Sequence, residues 1–145
     1  MYFFGILIFM GLLIYSTLLS ATLNVYIDFP SIVLIIGFTI PILMASGLLG
    51  DFMKGFKVMS EKENSFTALE LKRMLIANKL AISLILLSGI MGSIIGGIGI
   101  LTHLDNLQIG PSLAMAVLTF FYAIIFTVLF IPIQAKIKTI LSTLE

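Results

Sequence analysis

The chain has 145 residues, of which 60% are hydrophobic and 10% charged, against roughly 45–50% and about 25% in an ordinary soluble domain. A mean hydropathy of +1.22 is more apolar surface than a globule of this size can enclose, since such a globule buries only about 70% of what its unfolded chain exposes; the expected solvent is lipid. The absence of cysteine excludes disulfides and thiolate chemistry, a single histidine, His103, excludes histidine-rich metal centres, and a net charge of +1 gives no pull towards nucleic acid.

Uncharged apolar runs of about 18 or more residues predict transmembrane helices. Four are present, at about Tyr2 to Val25, Ser31 to Gly50, Leu80 to Leu101 and Ser112 to Ile133. The expected fold is therefore all-α, one polytopic membrane domain over residues 1–145. The first run has no basic segment ahead of it and leads straight into a second, which predicts a retained helix and not a secretory signal. Asp28 falls in the short connection that follows. Residues 51–79 form the main polar connection and carry six of the eight basic residues, with the other two, Lys136 and Lys138, after the fourth run. The basic-side rule places this connection and both termini in the cytoplasm.

Thr67-Ala-Leu-Glu70 fits a capping box, and no Gly or Pro follows until Gly89. The third helix is expected to start near Thr67, stand proud of the membrane on its cytoplasmic side and continue to Leu101. A companion helix is expected to carry Asp51 to Met59 out of the second span. Lys54, Lys57, Lys72 and Arg73 make a basic cytoplasmic face suited to anionic headgroups. On the other side, His103 and Asp105 read as a solvated turn.

Helices in lipid associate through small residues and hydrogen bonds. In the third span Gly89, Ser93 and Gly97 form one column and Ser88, Gly92 and Gly96 the next; Ser112, Ala116, Thr119, Ala123 and Thr127 form a stripe on the fourth. The glycines, with Ala116 and Ala123, are expected to pack the two spans together. Ser93 and Thr119 could equally line an ion path. Pro41 and Pro132 can bend their helices. None of the four spans holds an Asp, Glu, Lys or Arg, the residues that usually carry ions through a membrane. No Ser/His/Asp set, phosphate loop or histidine cluster is present either, so an enzyme is not expected.

Two stretches resemble the A subunit of the bacterial flagellar stator, of the MotA/PomA type, and its relatives in the MotA/TolQ/ExbB proton channel family. The first is Tyr26-Ile-Asp-Phe-Pro-Ser31, continuing to Gly37-Phe-Thr39. The second runs from Gly89 to Lys138 and includes Gly92-Ser93, Leu104-Asp105, Ile109-Gly-Pro-Ser-Leu-Ala-Met-Ala-Val-Leu-Thr119, Tyr122 and Phe130-Ile-Pro-Ile133. The resemblance implies a homopentamer around two copies of a single-span MotB/TolR/ExbD-like partner in the bacterial cytoplasmic membrane. That partner's membrane aspartate would carry protons or sodium ions, driving rotation without any bound cofactor. Ser93, Thr119, Tyr122 and Thr127 would line the channel, and Pro132 would fall on the span-four proline. Three features depart from the family: Leu86 replaces a usual proline, Phe120 replaces a second threonine, and residues 51–79 are too short for the large torque-bearing cytoplasmic domain. The chain therefore reads as a minimal form of such a motor unit. A self-contained transporter and a non-transporting assembly protein are the alternatives.

Overall fold

The computed structural model describes residues 2–60, 66–102 and 109–144. Every regular element among them is helical: α1 (Tyr2–Ser20), a 3-10 turn at Leu23–Tyr26, α2 (Phe29–Ala45), α3 (Leu49–Lys57), α4 (Ala68–Thr102) and α5 (Ile109–Leu144). Four helical segments are long and apolar enough to cross a membrane. His103 and Asp105 lie outside the described residues.

The boundaries differ from the hydropathy reading in three places. The first helix stops at Ser20, because Thr22 is extended and the residues after it tighten into the 3-10 turn. The second stops at Ala45 and not at Gly50. There the Leu48 amide donates to the Leu43 carbonyl and the Gly47 amide to that of Met44, the paired bonds of a Schellman cap; Gly47 takes the left-handed φ of 68° that this cap needs. α3 is thus a separate helix, as expected from Asp51 onward. The fourth span continues well past Ile133, and the supposed C-terminal tail is helix as far as Leu144.

α4 and α5 run antiparallel and make the most extensive contact in the molecule. With 35 and 36 residues they are each about 50 Å long, well beyond the roughly 30 Å of a hydrocarbon core. Their projecting ends have a purpose. Val58 at the end of α3, Leu71 and Met74 on α4, and Ile133, Ile137, Ile140 and Leu141 on α5 form a closed apolar cluster. Arg73 also forks onto Asp51 Oδ2 at 2.9 and 3.0 Å and ties α4 to α3. The capping box forms in full: the Thr67 amide and hydroxyl both donate to Glu70, and the Glu70 amide donates back to the Thr67 hydroxyl.

α2 lies across the α4–α5 pair, with Ile35, Ile85 and Ala123 in a second buried cluster. α1 is peripheral: among its described residues only Thr17 is buried, and Phe3, Phe4, Leu7, Leu12 and Leu19 are exposed, as a lipid-facing helix requires. Its Tyr2 hydroxyl donates to the Leu129 carbonyl at 3.2 Å. Asn78, fully buried on α4, donates to the neighbouring Phe130 carbonyl at 3.3 Å. Both bonds reach carbonyls close before Pro132, next to the Val128 carbonyl whose helical donor the proline lacks.

Candidate functional site

The α4–α5 seam shows why the sequence uses glycine where it does. A Cβ on Gly89 would lie 2.3 Å from Ala123 Cβ, one on Gly92 2.4 Å from Thr119 Cγ2, and one on Gly96 2.7 Å from Ala116 Cβ. These are real contacts of backbone with side chain, closer than any larger residue allows. Gly89, Gly92 and Gly96 on α4 thus face Ala123, Thr119 and Ala116 on α5. Gly97 differs: nothing lies within 4 Å of its Cβ position. Steps of three and four keep 89, 92 and 96 on one face, whereas 97 is about 100° further round the helix from 96. It belongs instead to a surface groove of about 460 Å³ shared with Ser93, Leu113 and Phe120.

The close approach of α4 lets α5 bring Thr119 against the start of α2, and a polar cluster forms there. The Ser31 hydroxyl bonds to the Asp28 carboxylate and lies 2.7 Å from the Thr119 hydroxyl, which also reaches the Met115 carbonyl at 3.0 Å. Each hydroxyl has one proton and a carboxylate can only accept. With the carboxylate accepting the Ser31 proton, the single Thr119 proton is shared between the Ser31 hydroxyl oxygen and the Met115 carbonyl. Tyr122 closes the other side: its hydroxyl donates to the Tyr26 carbonyl and accepts from the Asp28 amide at 3.3 Å. The 3-10 turn at Leu23–Tyr26 makes this possible by turning the Tyr26 carbonyl back towards α5.

Asp28 is only 8% exposed. Among the described residues its carboxylate is met by a hydroxyl and by no basic side chain, although a buried charge ordinarily requires pairing. It borders a cleft of about 160 Å³ with Ser31, Leu34, Gly92, Met115 and Thr119. An acid thus sits in the bundle of this chain, just ahead of a span that holds none. Neither Asp28 nor Ser31 was expected as a site residue from hydropathy. Their signal was the Asp-x-x-Ser spacing, which puts two side chains together at a helix start.

No family model matches the chain, and no curated protein is similar to it in sequence.

The four expected channel residues are distributed unevenly. Thr119 and Tyr122 belong to the Asp28 cluster. Ser93 is half-buried in the seam, its hydroxyl bonded to the Gly89 and Ala116 carbonyls at 3.0 and 2.7 Å. Thr127 is buried lower in the bundle, and its hydroxyl has no hydrogen-bond partner among the described residues. Pro132 sits inside α5, about 20 Å along the axis from Thr119. Lys54, Lys57, Lys72 and Arg73 are all exposed at the opposite end of the bundle, where Arg73 is engaged by Asp51.

Proposed function

We propose that the chain is a non-enzymatic, channel-forming ring subunit of an ion-motive-force-driven rotary motor of the stator type. It would assemble as a pentamer around two copies of a single-span partner that supplies a membrane aspartate. The observation that carries this reading is the convergence of the two stretches that resemble the stator family. They are far apart in sequence, yet Ser31 of the first is hydrogen-bonded to Thr119 of the second, and Tyr122 of the second holds the backbone of Tyr26 and Asp28. With residues 51–79 and the termini cytoplasmic, the cluster lies at the outer mouth. A buried carboxylate backed by hydroxyls is there suited to drawing in a proton or a sodium ion.

The test is purification together with the product of the neighbouring gene, followed by particle imaging. Five copies around two single-span chains are expected. A monomer or dimer, with no partner carrying a membrane aspartate, would sink the proposal. Thr119→Val should also abolish most ion-driven output while the oligomer still assembles; unimpaired output would reduce Thr119 to a packing residue.

One observation favours a second reading, a self-contained cation transporter: Asp28 gives this chain a buried acid of its own. Ion flux into liposomes containing this chain alone, abolished by Asp28→Asn, would select that reading. Flux only in the presence of the single-span partner would select the motor.

A further inference from the structure

α3 is short but firmly held. Gly55 faces Ile133 and Ile137 of α5, Val58 enters the apolar cluster, and Arg73 donates to Asp51. Phe52 and Phe56 each meet Phe130 edge to face, with ring centres 5.3 and 5.6 Å away. Those contacts fix which side turns outward. Phe56, Met53, Lys57 and Lys54 follow one another around an arc of about 160°, and all are exposed, Met53 to 59% and Phe56 to 41%. One edge of this face is apolar and the other is basic.

The level of α3 in the bundle is fixed twice over. Phe130, against which its rings pack, has its carbonyl bonded by Asn78, and Lys79 beside Asn78 is the last charge on α4 before the uncharged run that starts at Leu80. On α5 the first charge, Lys136, lies about 9 Å along the axis beyond Phe130. α2 gives the same answer from the far side of the bundle. Its 17 residues reach about 25 Å, slightly less than the roughly 30 Å of a hydrocarbon core, and α3 starts at Leu49 after one tight turn. α3 therefore sits where the apolar runs end.

Charge at this level is unevenly matched. Arg73 is answered by Asp51, and Glu70, near enough to interact with Lys54, already takes the Thr67 amide and hydroxyl. Among the described residues no carboxylate is bonded to Lys54 or Lys57. We propose that this face of α3 lies on the membrane surface at the Asp51 end, where Lys54 and Lys57 bind the headgroups of anionic phospholipids while Met53 and Phe56 enter the acyl chains beside them. Water would leave two large apolar side chains wet, and an apolar helix of another chain would bury two unpaired lysines. An anionic leaflet suits both edges at once. The assignment does not rest on ion transport, because it concerns only which lipid the folded chain gathers.

The chain has no tryptophan, so Met53→Trp places a single fluorescent reporter on this face. The protein is reconstituted in phosphatidylcholine bilayers that contain, at equal mole fraction, either phosphatidylglycerol or phosphatidylcholine brominated high in the acyl chain, and the quenching is compared. Brominated phosphatidylglycerol should be preferred at position 53 by about fivefold for each lysine engaged. Replacing both lysines, by Lys54→Gln and Lys57→Gln, or adding about 1 M salt, should bring the two lipids close to parity. Leu12→Trp, on the lipid-exposed α1, should show no preference. Equal quenching at position 53, a preference that survives loss of both lysines, or the same preference at position 12 overturns the proposal. Quenching by neither lipid overturns it too, since protein or water would then cover the face. Should the Met53→Trp protein not accumulate, Phe56→Trp reports from the same face. Fluid lipid tolerates an added aromatic ring, so failure of both variants to fold also overturns the proposal.

Discussion

Gly89→Ala tests the central packing of the molecule. The added Cβ would sit 2.3 Å from Ala123 Cβ, whereas carbon atoms in good contact lie about 3.5–4.0 Å apart. Both atoms are fixed to the backbone, so no rotamer change relieves the clash; α4 and α5 must part by more than 1 Å, by order of magnitude. Overpacking of this kind costs about 1–3 kcal/mol, and alanine returns about 1 kcal/mol through helix propensity. A net loss of up to about 2 kcal/mol is expected, read as a drop of up to several degrees in melting temperature at about 2–4 °C per kcal/mol. Gly97→Ala meets open space and keeps only the propensity term, so it should be neutral or stabilising. The decisive variant is the exchange Gly89→Ala/Ala123→Gly, which moves one methyl across the seam. Ala123→Gly alone loses propensity and leaves a gap, yet in the exchange its space receives the new methyl. Near-wild-type stability is expected of the pair. If the pair melts at the sum of the two single losses, or Gly97→Ala is as damaging as Gly89→Ala, the seam is wrongly placed.

Three further outcomes follow from single contacts. Asn78→Leu removes the buried amide's bond to the Phe130 carbonyl and should lower stability by about 0.5–1.5 kcal/mol, while the exposed neighbour Lys79→Leu changes little; equal effects in unfolding measurements would argue against this bond as a tie between α4 and α5. Gly47→Ala forces a side chain into the left-handed region at the α2 cap and should cost about 1–2 kcal/mol, checked by the same unfolding assay, with an unchanged midpoint ruling out the Schellman geometry. Glu70 is held below the ordinary carboxylate range by the Thr67 amide and then by the Thr67 hydroxyl. Its folded-state affinity for a proton is therefore lower than in the unfolded chain, so its contribution is complete above the usual glutamate range and is lost as pH falls through the lowered folded value. The gap in melting temperature between wild type and Glu70→Ala should be open at neutral pH and close in acid; a gap constant with pH would count against the capping box.

Hydropathy made the four crossings legible because lipid imposes one requirement, an uncharged run of sufficient length. It could not place the ends. The stop at Ala45 depends on Gly47 adopting a conformation that no hydrophobicity scale registers, with Leu48 and Leu49 still apolar beyond it. The extension to Leu144 was hidden for the opposite reason. Lys136 and Lys138 end the uncharged run but not the helix, and the 137, 140, 141 spacing of apolar residues was the signal for continued packing. The glycines were readable as a group but not individually, since whether Gly97 or Gly96 faces α5 depends on the phase of two helices against each other.

The same division explains the candidate site. Thr119 stood out because a hydroxyl deep in an apolar run is conspicuous, while Asp28 looked unremarkable as a loop acid outside every span. Its significance arises from tertiary structure alone. The 3-10 turn and Tyr122 fold the loop back over the bundle, and Ser31 then joins the acid to Thr119. The two ends of the molecule come to differ in kind. At the Asp51 end, α3, α4 and α5 close over an apolar cluster, and Asn78 and Tyr2 bond to α5 carbonyls close before Pro132. At the Asp28 end the helices meet through hydroxyls around an acid that has no cation of its own among the described residues. The bundle is thus held by apolar packing at one end and by hydrogen bonds around a carboxylate at the other.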